Sequence, residues 1–288
     1  MLSSLAGVLF DGFAYGMLLF LLSVGLSVTL GMMNFVNLAH CSFAMVGGYA
    51  TVSLMTRFGW PFLATLPMAF ALAALVSVVL ERTLYRRLYR SSDLDQCLLT
   101  IGIVFISVAA YAWFYTTEQQ SIQVPGWLQG SQHVAGMSFA SYRLFLIVVG
   151  LAVTFLLVLF LERTRFGARI RAAVDNQRMA RGLGIDVDRA FMLTFALGGG
   201  LAGLGGALSI QVVGLDPTFA LAYLVYVLIV VAVGGLGSIG GTFAAAMLLG
   251  ISDMAGKYYF PAIGSFLIYL VMLSLLMWRP AGIFGRRT

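Results

Sequence analysis

Nine apolar runs follow one another along this chain with little between them, at 6–30, 38–56, 61–80, 96–115, 142–161, 190–212, 219–235, 241–256 and 262–278. A helix needs about 20 apolar residues to cross the hydrocarbon core of a bilayer. It is favoured there because all its backbone polar groups are satisfied within the segment. The runs predict an all-α fold, a polytopic transmembrane helix bundle of about eight to nine spans. A single membrane domain is expected over residues 1–288. The runs at 219–235 and 241–256 are short and admit broken or re-entrant helices. Hydrophobic residues make up 61% of the chain and charged residues 10%. A soluble domain carries about 25% charged residues, so this composition cannot cover a water-facing surface. The N-terminal residues lack a positive stretch and Asp11 interrupts them, so the first run is expected to be a retained span rather than a cleaved leader.

The net charge is +6, and Lys257 is the only lysine. A basic balance can indicate nucleic acid, but here the cations fall in short links between apolar runs, so no nucleic-acid partner is expected. Arg82, Arg86, Arg87 and Arg90 follow the third run. Arg163, Arg165, Arg169, Arg171, Arg178, Arg181 and Arg189 follow the fifth, and Arg279, Arg286 and Arg287 follow the last. An even number of runs separates successive clusters, so all three fall on one side. The positive-inside rule makes that side cytoplasmic. The N-terminus is then external, the C-terminus and the 162–189 loop are cytoplasmic, and 116–141 is an external loop. That external loop carries Pro125, Trp127, Gln129 and Gln132, which suit either a docking surface or a plain connector.

Glycines at small-xxx-small spacing, Gly12 with Gly16, Gly199 with Gly203 and Gly237 with Gly241, predict helices in close contact. Cys41 and Cys97 fall in or beside apolar runs with no CxxC, and are expected as buried thiols.

Four segments depart from the apolar background. In 32–41, Asn34, Asn37 and His40 recur at three-residue steps and would share one face of a helix. Polar groups facing lipid are costly, so they point to a helix break beside a translocation path or to side chains that bind loosened backbone. In the 162–189 loop, Val174, Leu183 and Ile185 alternate with Asp175, Asn176, Arg178 and Arg181. That pattern suits a short surface helix docking in a partner's groove or a basic loop held on anionic membrane lipid. Two glycine-rich stretches, 198–208 and 234–242, mean either tight helix packing or an unwound segment of the kind that forms transporter sites. The second contains Gly234, Gly235, Gly237 and Ser238.

The sequence has no phosphate-cradling GxxxxGK[ST] loop and no HExxH or His/Cys/Asp cluster at metal spacing. No catalytic residue, metal site or cofactor is therefore expected in this chain. Acidic residues in or near the runs are limited to Asp11, Asp216 and Asp253, each near a likely end. That weakens ion-coupled transport, which needs ionisable or unwound sites deeper in the bundle.

These segments also carry a resemblance. The chain resembles the LivH-type permease subunits of bacterial branched-chain amino acid ABC importers over nearly its whole length. The matching residues are Asn34, Phe35, Asn37, Ala39 and His40; Gly47, Gly48 and Tyr49; Ala173, Asp175, Asn176, Ala180, Gly184 and Ile185; Gly234, Gly235, Gly237, Ser238 and Gly241; and Arg279, Pro280, Gly282, Phe284 and Gly285. Each motif is weak alone, and five in the family's order are strong. The resemblance implies a multi-pass protein of the bacterial inner membrane, with ATP-Mg bound and hydrolysed by two separate ABC ATPase subunits. It also implies a LivM-type second permease and a periplasmic substrate-binding protein. Residues 173–185 would then couple to an ATPase. One departure is Cys41 and Ser42, where the family usually has Gly and often an acid. This leaves the substrate open among branched-chain amino acids, urea, short amides and aromatic acids. A self-contained secondary carrier, and an intramembrane enzyme using His40 or Ser238, are the competing readings.

Overall fold

A computed structural model describes residues 2–33, 35–89, 91–134 and 137–285. Each of the nine apolar runs is a helix. These are α1 (Leu2–Met33), α2 (His40–Phe58), α3 (Phe62–Leu80), α5 (Asp93–Tyr115), α7 (Ser141–Arg163), α10 (Val187–Val213), α11 (Phe219–Gly234), α12 (Ile239–Tyr259) and α13 (Gly264–Trp278). Short elements join them: a π-helical turn (Glu81–Tyr85) and α4 (Arg86–Leu88) after α3, then α6 (Gly126–Gln129) and the hairpin β1 (Ser131–Val134) and β2 (Met137–Ala140) before α7, and α8 (Arg165–Asp175) and α9 (Gln177–Gly182) after it.

Among the described residues six helices, α1, α3 with its extension, α5, α7, α10 and α12, are long and apolar enough to cross a membrane. The chain is an all-α, multi-pass membrane protein. Helix α11 has 16 residues and α13 has 15, so at ~1.5 Å per residue they fall short of the ~30 Å hydrocarbon core.

Local chemistry sets the ends. Ser92 and Asp95 form a reciprocal capping box at the start of α5, which satisfies two backbone N–H groups left free by helix geometry. Thr164, Asn176, Asp186 and Ser238 cap α8, α9, α10 and α12 with their side-chain oxygens. Gly59 ends α2 in the left-handed conformation, which costs glycine little.

Helices α1 and α10 form the centre, with α12 against α1, and α2 and α3 against α10. Neighbours approach at glycine. A Cβ on Gly25 would stand 2.3 Å from the Gly198 carbonyl oxygen, and one on Gly206 1.9 Å from that of Ala44. Gly12 and Gly16 meet Ile251 and Met247 of α12, and Gly199 and Gly203 meet Ser77 and Ala73 of α3, so two of the three expected glycine pairs lie in helix contacts. The third differs, because Gly237 belongs to the α11–α12 turn and Gly241 to α12. Cys41 is buried and neither cysteine is in a disulfide.

The bundle has two unlike ends. One, the arginine-rich end, gathers the α1–α2 link, the end of α3, α8, α9 and the α11–α12 turn. The other gathers 116–140 and the α10–α11 corner, where the Gln120 N–H donates to the Leu215 carbonyl at 2.7 Å. The expected polar connector at 116–141 has structure of its own, with Ile122, Val124 and Leu128 buried and Trp127 edge-on to Phe145.

Candidate functional site

The arginine-rich end holds two interruptions of the helical bundle. After Met33 the chain leaves the helix, and α2 starts at His40. Asn34 lies outside the described residues. Asn37 is in the irregular link rather than on a helix, so Asn37 and His40 do not share a helical face as the spacing suggested. The Asn37 side-chain oxygen instead accepts from the Ala39 N–H at 3.1 Å. This local bond offers the backbone an alternative to helix. Its amide nitrogen is buried without a partner among the described residues.

Free backbone groups in such a link must find donors or acceptors. Helix α5 supplies them. The Gln96 oxygen accepts from the Val36 N–H at 2.9 Å, and the Thr100 hydroxyl accepts from the Leu38 N–H at 3.2 Å. Gln96 in turn donates to the Leu88 carbonyl at 3.2 Å, so one side chain ties the link to the end of α4. Phe35 is fully buried between Tyr85, Tyr89 and Phe195. His40 is buried, and its Nε2 lies 3.1 Å from the Leu22 carbonyl oxygen, which places a proton on that nitrogen because a carbonyl only accepts. The histidine thus holds α1 to α2.

The second interruption is the glycine-rich turn. Helix α11 stops at Gly234, Gly235 and Gly237 take φ of 92° and 76°, and Ser238 caps α12 by accepting from the Gly241 N–H at 3.0 Å. Residues after α13 complete this corner. The Ile283 N–H donates to Val233 at 2.8 Å, and the Phe284 N–H to Gly234 at 3.3 Å. The end of α1 leads from one interruption to the other, since a Cβ on Gly31 would overlap the Gly237 backbone. The structure therefore brings Asn37, His40 and the 234–238 turn to one end of the bundle, with α1 between them. His40 and Ser238 each have a separate backbone partner.

The 162–189 segment flanks this end. It folds as two short helices, α8 and α9, broken at Asn176 (φ −155°, ψ 98°). Asn176 starts α9 by accepting from the Met179 N–H at 3.0 Å. The side chains of Val174 and Asp175 lie outside the described residues. Ala173 and Ala180 are buried, Gly184 closes α9 at φ 78°, and the Ile185 N–H donates to Ala180 at 3.0 Å. These family-pattern residues build the turn. The apolar side chains that project are Met179, 66% exposed, and Leu183, 80% exposed. Asp188 pairs with both Arg86, beyond α3, and Arg181 of α9 at 3.3 Å, which joins α9 to the end of α3.

Sequence reasoning missed Gln96 and Thr100. Their signal was polar residues one turn apart in an apolar run, which must face protein. It also placed Asp253 near a span end without a partner. Asp253 is fully buried on α12 and accepts from Lys257 at 2.6 Å, and the lysine lies over the Tyr15 ring at 5.6 Å. Among the described residues no group of three or more His, Cys, Asp or Glu could hold a metal ion.

Similarity to known proteins covers the bundle and both interruptions. Residues 8–276 match the family described as branched-chain amino acid transport system, permease component. The probable branched-chain amino acid transport permease protein LivH of Methanocaldococcus jannaschii is 30% identical, over 94% of this chain and 90% of its own. LivH of Escherichia coli K12, a high-affinity branched-chain amino acid transport system permease protein, is 24% identical over 96% and 94%. LivM of Salmonella typhimurium, a permease protein of the same kind of system, is 25% identical over 93% of this chain and 68% of its own. With a match across both helix interruptions and nearly all of the nine apolar helices, this chain belongs to the permease components of branched-chain amino acid transport systems.

Proposed function

We propose that this chain is the membrane-spanning permease subunit of an ATP-driven ABC importer, passing a small polar solute that a periplasmic binding protein delivers. A branched-chain amino acid is the first candidate, by the names of the relatives. The observation that carries the reading is the match over residues 8–276 joined to the projecting Met179 and Leu183 on α9. Apolar knobs on a short helix suit insertion into a groove of another protein.

In this reading two ABC ATPase subunits bind ATP-Mg and receive α9, while this chain holds no cofactor. A LivM-type permease forms the other half of the pathway, in keeping with the similarity to LivM. The arginine-rich end faces the cytoplasm, the N-terminus and 116–140 face the periplasm, and the protein resides in the bacterial inner membrane. Motion of α9 reaches the α1–α2 link through Asp188, Arg86 and the aromatic contacts of Phe35. The Asn37–His40 link and the Gly234–Ser238 turn then line or gate the inner part of the path.

Uptake of radiolabelled leucine into vesicles carrying this chain with its genomic neighbours tests the proposal. Uptake should require ATP and the binding protein. Uptake driven by an ion gradient without ATP would replace the importer with a secondary carrier. Deleting residues 172–185 should leave the ATPases without substrate-stimulated hydrolysis, and normal stimulation in the deletion would refute the coupling role.

A further inference from the structure

A slot of about 420 Å³ opens between α3, α7 and α10. Its walls are Phe70 on α3, Leu157, Phe160 and Thr164 on α7, and Leu197 and Leu201 on α10. The one polar group among its lining side chains, the Thr164 hydroxyl, already donates to the Phe160 carbonyl. Nothing polar is left on these walls to recognise a solute, so the lining suits a hydrocarbon chain.

The height of the slot says which hydrocarbon. On α7 it runs from Val153 to Thr164, which at 1.5 Å per residue is ~16 Å. One leaflet of a ~30 Å hydrocarbon core is about the same depth. Thr164 lies where α7 gives way to α8 at the arginine-rich end, so the slot spans that leaflet from mid-membrane to its headgroups.

Among the described residues the headgroup level carries three arginines that form no ion pair, although Glu81 and Glu162 are their neighbours in sequence. Arg82 lies beyond Phe70 towards the arginine-rich end, in the π-helical turn that follows α3. Its guanidinium donates at 2.9 and 3.2 Å to the sulfur of Met192 on α10, the helix that forms the third wall. A thioether is a weak acceptor. Exposed Arg163 and Arg165 flank Thr164 on the other wall. Among the described residues none of these three arginines is within salt-bridge distance of a carboxylate.

We propose that this slot is a binding site for an anionic phospholipid of the leaflet at the arginine-rich end. One acyl chain lies between α3, α7 and α10, and the phosphate takes Arg82 from Met192. The proposal rests on the membrane-spanning fold and is independent of what the protein transports.

The test is lipid extraction and native mass spectrometry of the complex purified with its natural partners. After exhaustive detergent exchange about one phospholipid per chain should remain, with phosphatidylglycerol preferred over phosphatidylcholine in competition. Arg82→Gln should weaken that preference roughly fivefold, the effect of one cation at a headgroup. Leu156→Trp, from a slot-lining position that is 60% exposed, should fill the slot and release the lipid with the complex intact on size exclusion. Leu197→Phe is the second slot-filling variant should the first fail to assemble. Retention unchanged in the slot-filling variants would overturn the site. So would an absence of retained lipid with Phe160→Cys cross-linking to a cysteine in the second permease, because a partner helix would then occupy the slot. A lipid retained without headgroup preference would overturn the anionic assignment.

Discussion

Helices α7 and α10 are both apolar spans, and they live in opposite surroundings. The most apolar 18-residue stretch of α7 is only 22% buried in the chain, against 72% for α10. The more apolar helix is the outer one. Helix α10 instead carries six glycines between Gly198 and Gly206, and its one serine and one threonine, Ser209 and Thr194, are buried. Lipid is as apolar as leucine, so hydrophobicity gives no preference for the interior of a membrane bundle. Small residues that let backbones meet, and polar groups that need protein partners, make that choice. The same difference explains the slot, because α7 rests on α1 at Gly150 and Met17 while its half from Val153 onward faces α3 and α10 across a gap.

Changes at the crowded centre test the contrast most strongly. Gly206→Val puts a branched side chain 1.9 Å from the Ala44 carbonyl oxygen. It should cost about 3 kcal/mol, the upper range for overpacking, read as a collapse of monodisperse yield and of the thermal midpoint in detergent. A normal midpoint would break the comparison at its root. Next comes Gln96→Leu, which makes α5 more apolar and removes the acceptor for the Val36 N–H. A loss of about 2 kcal/mol is expected from the orphaned backbone group, along with faster amide exchange over residues 35–39. Lys257→Met leaves the buried Asp253 carboxylate without its partner. Because the lysine side chain is 46% exposed, solvent screening reduces the expected loss to about 1 kcal/mol, measurable as a midpoint shift. Smallest is Gly102→Ala on outer helix α5, where an added Cβ meets nothing within 4 Å. Helix propensity predicts a gain of up to ~1 kcal/mol, and a lowered midpoint would mean that α5 is covered by something.

The apolar runs made the nine long helices legible because a bilayer constrains length and composition together. Their ends were less so. Helix α1 reaches Leu2–Met33 where the run suggested 6–30, since capping and packing rather than hydropathy set the boundaries. The glycine-rich 234–242 stretch was readable as an interruption, and positive φ at Gly235 and Gly237 gives the reason. The polar residues at 34–40 made an interruption legible, but not the geometry of Asn37 and His40 within it. Three-residue spacing looks the same whether the chain continues as helix or breaks, and the partners that stabilise the break, Gln96 and Thr100, come about 60 residues later. In 162–189 a short surface helix was legible but its start was not, because Asn176 caps a new helix, α9, rather than continuing α8. The π-helical turn at Glu81–Tyr85 had no sequence signal at all. Its buried Glu81 is held by the Tyr89 hydroxyl at 2.7 Å, a bond between residues whose proximity the local pattern does not encode.

The corner around Gly234 and Gly235 has a consequence for biogenesis. Its last backbone bonds come from Ile283 and Phe284, which the ribosome makes only after α12 and α13. Chains fold broadly in the order they are synthesised, yet this turn stays unfinished until two further helices have entered the bilayer. A nascent chain stalled before residue 283 should therefore expose the α11 carbonyls to whatever insertase or chaperone attends it, and a fusion joined directly after Arg279 should leave the corner open in the mature protein.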